Sequence, residues 1–251
     1  MTDSTRAHKR IERTETPGTR HDLSLGTLLV ASRAPRKQAP LVIHFHGPAW
    51  LVEASVRRRW RRAASLSVHL GTGSAVYAAP FREAGRFGVL LDEVERATGR
   101  PWAPVVLTAY SAGYGAVREI LRDATNRDKV QAVILADGIH AGYDENRLAK
   151  GADLEPFLAF AREAAGGNKQ FILTHSEVYP GTYASTTDCA DFLVDSVRVR
   201  RRAVLRWGPL GMQQVSEVRR AGWRVMGFAG NSAPDHTDHL HALADWLKLI
   251  R

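Results

Sequence analysis

Cysteine is almost missing from this sequence. Cys189 stands alone, so an intramolecular disulfide is excluded and no Cys/His zinc spacing exists around it. Long apolar runs are missing as well: nowhere do about 18 apolar residues follow one another, the minimum for a membrane-spanning helix. The opening M-T-D-S-T-R-A-H-K-R has no apolar core of the kind a secretory signal carries. A soluble, cytoplasmic protein with no membrane span is the expectation. Internal repeats and low-complexity segments do not occur.

Acidic residues are in deficit, which leaves a net charge of +9. Arginine clusters at R-R-R-W-R-R (Arg57 to Arg62) and V-R-V-R-R-R (Val197 to Arg202) invite a nucleic-acid reading. Both fall inside or beside stretches that read as helices, and no nucleic-acid motif accompanies them. They are therefore read as solvated helix faces, with no nucleic-acid partner expected. A basic surface still favours anionic substrates or membranes weakly.

What is present fits one domain: 251 residues with 44% hydrophobic content suffice for a single sizeable core. Residues 1–20, polar and containing Pro17-Gly18, read as an N-terminal tail or edge element. Residues 21–251 form the domain. Its pattern alternates strands with helices. Strands are predicted over Leu23 to Ala31, Leu41 to His46, Ser65 to Leu70, Pro104 to Thr108, Val130 to Ala136, Gln170 to Thr174 and Trp223 to Ala229. Helices are predicted over Leu51 to Arg62, around Arg82 to Thr98, after Ser111, near Glu155 to Ala165, once or twice between Asp188 and Arg220, and from about Asp238 to Ile250. Such alternation implies parallel pairing and right-handed crossovers, hence an α/β three-layer sandwich with a mostly parallel central sheet. The short Ile139 to Leu154 connection leaves little or no room for a cap domain.

In such a sheet, functional groups belong at the carboxyl ends of the strands. The stretch V-V-L-T-A-Y-S-A-G-Y-G-A-V, Val105 to Val117, passes there from a β-branched run to helical spacing at Tyr114, Val117, Ile120 and Leu121. Ser111 sits at the switch between Ala109 and Gly113, small residues that a sharp strand-to-helix turn requires. A serine nucleophile needs an imidazole to take its proton and a carboxylate to fix the imidazole's tautomer. The late segment G-N-S-A-P-D-H-T-D-H-L-H offers the base. His236 is preferred over His239 because it is placed in the loop ahead of a helix capped by Thr237 or Asp238, while His239 and His241 fall on helical turns. For the acid, Asp137 is preferred because it directly ends a buried strand in V-I-L-A-D-G-I-H. Glu177, in T-H-S-E-V-Y, is the alternative, and Asp235 and Asp238 stay open.

The tetrahedral intermediate needs two N–H donors. Ala112, after the nucleophile, supplies one. L-V-I-H-F-H-G-P-A-W supplies the other; Pro48 has no N–H, so Ala49 or Trp50 is the candidate. His46 reads as a brace of that loop and His44 as a satisfied core histidine. Tyr110, Tyr77 and Tyr179, with Tyr183, are candidates for the substrate pocket. Asp235, His236, Asp238, His239 and His241 crowd together, but i, i+3 and i+5 do not bring all three imidazoles to one helical face. No metal site and no cofactor is expected.

I-H-F-H-G-P, A-Y-S-A-G and the late histidine together resemble the α/β-hydrolase family, over nearly the whole of residues 23–250. The A-x-S-x-G variant, with Ala in place of the first Gly, is similar to that of some compact bacterial lipases and esterases. The resemblance implies an α/β-hydrolase fold, a Ser, acid, His chain order and a serine hydrolase acting on a small-molecule carboxylic ester. It also places the acid more usually after the later strand, the position of Glu177. A peptidase or amidase uses the same triad, and a binding protein on a decayed hydrolase site is the non-enzymatic alternative. Natural substrate and oligomeric state have no signal in the sequence.

Overall fold

The computed structural model describes residues 10–32 and 38–251. Ten strands form one sheet: β1 (Thr19–Leu23), β2 (Gly26–Val30), β3 (Leu41–Phe45), β4 (Ala64–Val68), β5 (Val105–Tyr110), β6 (Val130–Ala136), β7 (Gln170–His175), β8 (Arg202–Trp207), β9 (Gln213–Arg220) and β10 (Trp223–Phe228). Their order is β1-β2-β4-β3-β5-β6-β7-β10-β9-β8. The run from β4 to β10 is parallel throughout. Antiparallel pairs extend it at both edges.

Strands buried on both faces read as continuous apolar runs, and L-V-I-H-F of β3 is buried at every position. Alternation then divides the side chains. Leu41, Ile43, Leu107, Leu135 and Leu173 join one cluster with α2 (Ser74–Ala78), α3 (Arg86–Thr98), α4 (Tyr114–Arg122), α6 (Gly151–Ala165) and α7 (Thr186–Ser196). Val42, Val106, Ile134 and Ile172 join a second cluster with α1 (Ala49–Arg59), α8 (Ala233–His241) and α9 (Leu243–Leu247). The short α5 (Ala124–Lys129) buries no side chain. The architecture is therefore the expected α/β three-layer sandwich with a mostly parallel sheet. Among the described residues no helix is long and apolar enough to cross a membrane. The Ile139 to Leu154 connection lies close to the domain, held by isolated bridges from Ala141 to Ala184 and from Tyr143 to Ala149.

Three segments differ from the reading of the sequence. The single strand expected over Leu23 to Ala31 is the second arm of a hairpin in which Leu23 pairs with Gly26. The helices expected between Asp188 and Arg220 shrink to α7, followed by the β8–β9 hairpin. R-A-V-L-R-W and Q-Q-V-S-E-V-R-R contain many helix formers, but pairing on β10 overrides that preference. The second arginine cluster is consequently a turn and an edge strand, not a helix face. In the polar N-terminal segment, the first nine residues lie outside the described ones. Arg10 reaches the domain through a 2.8 Å ion pair to Asp238, and Thr19 already opens β1.

Two histidines are sealed into central strands. Burial pushes His44 down to about 3, against a partial offset from its bond to the His46 carbonyl. Burial, with the charge of Arg201 beside it, pushes His175 down to about 4. Both remain neutral in the fold at pH values where the unfolded chain, with histidines near 6.5, has protonated them. Between about pH 6.5 and 4 the unfolded state therefore binds more protons, and stability rises with pH. Urea denaturation across this window should show a midpoint that falls on acidification. In His44→Asn the proton uptake on unfolding at pH 5 should drop by about one; an unchanged uptake would refute the assignment.

Candidate active site

The sheet register builds the site. Tyr110 pairs with Ala136 across the parallel β5–β6 ladder, so the next residue on each strand, Ser111 and Asp137, emerges side by side. On the other side of β5, Phe45 pairs with Ala109 and leads into His46. All three residues beyond the strand ends have left-handed backbones: φ is +71° at His46, +46° at Ser111 and +45° at Asp137. Each such non-glycine position costs on the order of 1–3 kcal/mol. Glycines make the crowding possible. A Cβ on Gly138 would come within 2.5 Å of the Ser111 backbone N and O, and one on Gly113 within 2.1 Å of the Phe45 carbonyl.

Asp137 is buried, and its carboxylate accepts four hydrogen bonds. Ser176 donates its N–H at 2.8 Å and its hydroxyl at 2.6 Å, Thr186 its hydroxyl at 2.9 Å, and His236 its Nδ1–H at 2.6 Å. Burial alone would raise its pKa; the charge of His239 and the bonds from His236 and Ser176 outweigh this and hold the group well below the usual carboxylate range. His236 therefore meets an ionised acid. Its ring lies 4.6 Å from that of Tyr110, the residue before the serine. Among the described residues no hydrogen bond joins His236 to the Ser111 hydroxyl, a contact that is commonly loose in a free enzyme.

His236 is not in a loop. α8 begins at Ala233, where Ser232 and Asp235 form a reciprocal capping box, so the helix starts a turn earlier than Thr237 or Asp238. His236 stands in the first turn, fixed by the cap. Asp235 belongs to this cap: its carboxylate accepts from the Ser232 N–H and hydroxyl at 3.0 and 2.7 Å. His239 shares a 2.7 Å hydrogen bond with the Thr174 hydroxyl and packs edge-on against Phe228 at 5.4 Å. Glu177 is exposed, and its backbone N–H binds the Gly230 carbonyl. His241 stands near Trp50, with ring centres 6.3 Å apart. Among the described residues no group of three His, Cys, Asp or Glu is placed to hold a metal.

His44 is a satisfied core group, 2.8 Å from the Thr108 hydroxyl. His46 donates its Nδ1–H to the Tyr77 oxygen at 2.8 Å, and Tyr77 in turn donates to the Gly71 carbonyl at 3.0 Å. Tyr77 is thus a fully buried brace between two loops, not a pocket residue. Tyr110 is nearly buried and Tyr179 is exposed. Neither lines the cavity of about 470 Å³ that opens on Ser111 and Ala112. Of the tyrosines considered from sequence, Tyr183 does line it. The sequence reading missed Arg118, His140 and Asp153 in the same wall, and the Ser176 and Thr186 donors to Asp137. Ala49 and Trp50 line a different cavity with Arg13, Arg20 and Glu53, whereas Ala112 lines the one that opens on the serine.

No protein-family model matches the chain, and no curated protein matches its sequence. Solved structures do match. MPT51 (FbpC1) of Mycobacterium tuberculosis aligns with a TM-score of 0.51 at 12% identity, over 94% of this chain and 100% of that one. The LpqC poly(3-hydroxybutyrate) depolymerase of Bordetella parapertussis aligns at 0.48 and 11% identity, covering 88% and 84%. An acetyl xylan esterase of Aspergillus awamori aligns at 0.47 and 8% identity, covering 86% and 93%. With its parallel sheet order, its serine on a strained turn after β5 and its histidine after the last strand, the chain has the α/β-hydrolase fold.

Proposed function

We propose that the protein is a serine hydrolase that cleaves a carboxylic ester through an acyl-enzyme at Ser111. The observation that carries this reading is the 2.6 Å bond from His236 Nδ1 to the buried Asp137 carboxylate, formed beside a serine on a left-handed turn. With Nδ1–H committed to Asp137, the neutral ring keeps its lone pair on Nε2 and can take the Ser111 proton. The Ser111 oxygen then adds to the ester carbonyl carbon. The oxyanion is met by the Ala112 N–H, which has no helical partner because Ala112 lies in the single 3-10 turn Ser111–Gly113. His236 returns the proton to the departing alcohol. Water, deprotonated by the same imidazole, releases the acid and restores the serine.

Asp137 serves this cycle by staying ionised. Its bonds from Ser176 and Thr186 hold the carboxylate in place, so it stabilises the imidazolium without taking its proton. Glu177, exposed and off the histidine, is not given a role. Amide cleavage would use the same groups, so ester and amide substrates of one acyl group belong in a single comparison.

A fluorophosphonate probe should label the wild type and fail to label Ser111→Ala, whose circular dichroism should be unchanged. Ester hydrolysis persisting in purified Ser111→Ala would exclude the mechanism.

His236→Ala should lower kcat by roughly 10⁶-fold, and Asp137→Asn by about 10⁴-fold through the wrong tautomer. Glu177→Gln should stay close to wild type. His239→Ala should lose stability, through its bond to Thr174 and its packing on Phe228, far more than kcat. The reverse ranking of the two histidines would move the base to His239.

A further inference from the structure

We infer that the Ser111 cavity selects esters that carry a carboxylate, with the Arg118 guanidinium as the selecting group. The inference rests on the serine-hydrolase reading and adds a substrate class to it.

The cavity wall is unsuited to a long alkyl chain. Among its lining residues no Leu, Ile, Val, Met or Phe occurs; the apolar members are Ala and Gly, and the rest are Ser74, Tyr114, Arg118, His140, Asp153 and Tyr183 beside the serine. Most of an acyl chain placed there would meet hydroxyls and charges. Polar substrate atoms would be repaid with hydrogen bonds.

Arg118 is held ready. Its side chain is only 15% exposed, and its guanidinium lies 5.6 Å from the Tyr114 ring centre. Its Nε donates to Glu119 at 3.3 Å. That carboxylate also accepts from Arg122 at 3.1 Å, so one anion serves two cations. Among the described residues the two Nη groups of Arg118 make no hydrogen bond, and together they form the fork that binds a carboxylate bidentately.

The other charged groups in the wall do not cancel this one. His140 donates Nδ1–H to the Ala184 carbonyl at 2.9 Å, and burial lowers its pKa, so it is neutral. Asp153 accepts the Gly142 N–H on its Oδ2 at 2.9 Å and sits in the first turn of α6, where the helix N-terminus offsets negative charge. The net charge of +9 adds a weak long-range attraction for anions.

Geometry sets the substrate length. Between Ser111 and Arg118 lie the 3-10 turn Ser111–Gly113 and the first residues of α4, and both side chains line the same cavity of about 470 Å³. Helical side chains lean toward the N-terminus, which brings the guanidinium back toward the serine. A carboxylate a few carbons from the ester carbonyl spans what remains.

The test compares monomethyl glutarate with methyl valerate, which share an acyl length and differ by the terminal carboxylate, using kcat/KM from proton release at constant pH. Wild type should favour the glutarate ester by roughly 10- to 100-fold. That ratio should fall to near one in Arg118→Gln and recover partly in Arg118→Lys. In Ser111→Ala, which cannot turn over, calorimetric binding of monomethyl glutarate should weaken by a similar factor when Arg118→Gln is added. A wild-type ratio near one, or binding indifferent to Arg118, overturns the inference. Arg118-dependent binding without turnover of either ester and without fluorophosphonate labelling supports anion selection while counting against the hydrolase reading.

Discussion

A carboxylate removed from water is tolerated only when donors replace the hydration it loses. Asp137 obtains four, and they come from three places: the loop after β7, the start of α7 and the first turn of α8. The first two are joined again by the Thr187 hydroxyl on the Ser176 carbonyl, and the first and third by the Glu177 N–H on the Gly230 carbonyl, while Asp137 bonds all three at once. The buried charge is therefore the point on which the edge is organised. Removing any one donor leaves the others around an incompletely paired anion, and that penalty exceeds the worth of the single bond lost.

Strain at the same edge follows from the same economy of space. His46, Ser111 and Asp137 end three adjacent strands with left-handed backbones, and Gly113 and Gly138 let those turns touch. Such conformations persist only where the surroundings over-determine them. Here the surroundings are the central parallel strands, whose side chains are buried on both faces. A sheet edge of lower stability would relax the turns, and the serine would lose its fixed direction relative to Asp137 and His236.

How much of this the sequence displays depends on whether the signal is local. The buried strands are legible because V-V-L-T-A-Y and V-Q-A-V-I-L-A are apolar runs bounded by turn residues. Ser111 is legible because periodicity changes at it, and Asp137 because it ends its strand. The β8–β9 hairpin is not legible: β8 is an edge strand with most of its side chains exposed, so it lacks the alternation that betrays a strand. The start of α8 was written in S-A-P-D, a capping box with proline in the first turn. Reading Thr237 or Asp238 as the cap places the boundary too late. Ser176, Thr186 and Arg118 carry no local mark of their roles, since each acquires its partner through tertiary packing.

The position of His236 on a helix, rather than in a loop, changes what holds the proposed base. A loop histidine depends on its own bonds for direction; one in the first turn of α8 inherits the rigidity of a capped helix packed through Leu240 on the second core cluster. The proposed nucleophile is held similarly, since Ser111 leads through the Ser111–Gly113 turn into α4, which is packed through Val117, Ile120 and Leu121 on the first cluster. The proposed base and nucleophile are thus anchored on opposite faces of one sheet, and meet over its edge. A shift of either helix layer would be felt at their contact before it was felt in either core. It follows that the Ser111–His236 contact, set by two helix layers, is the adjustable element of the site, and the 2.6 Å His236–Asp137 bond is the fixed one. Arg118 lies on the nucleophile's helix, so a ligand drawn to it bears on the serine's side of that adjustable contact.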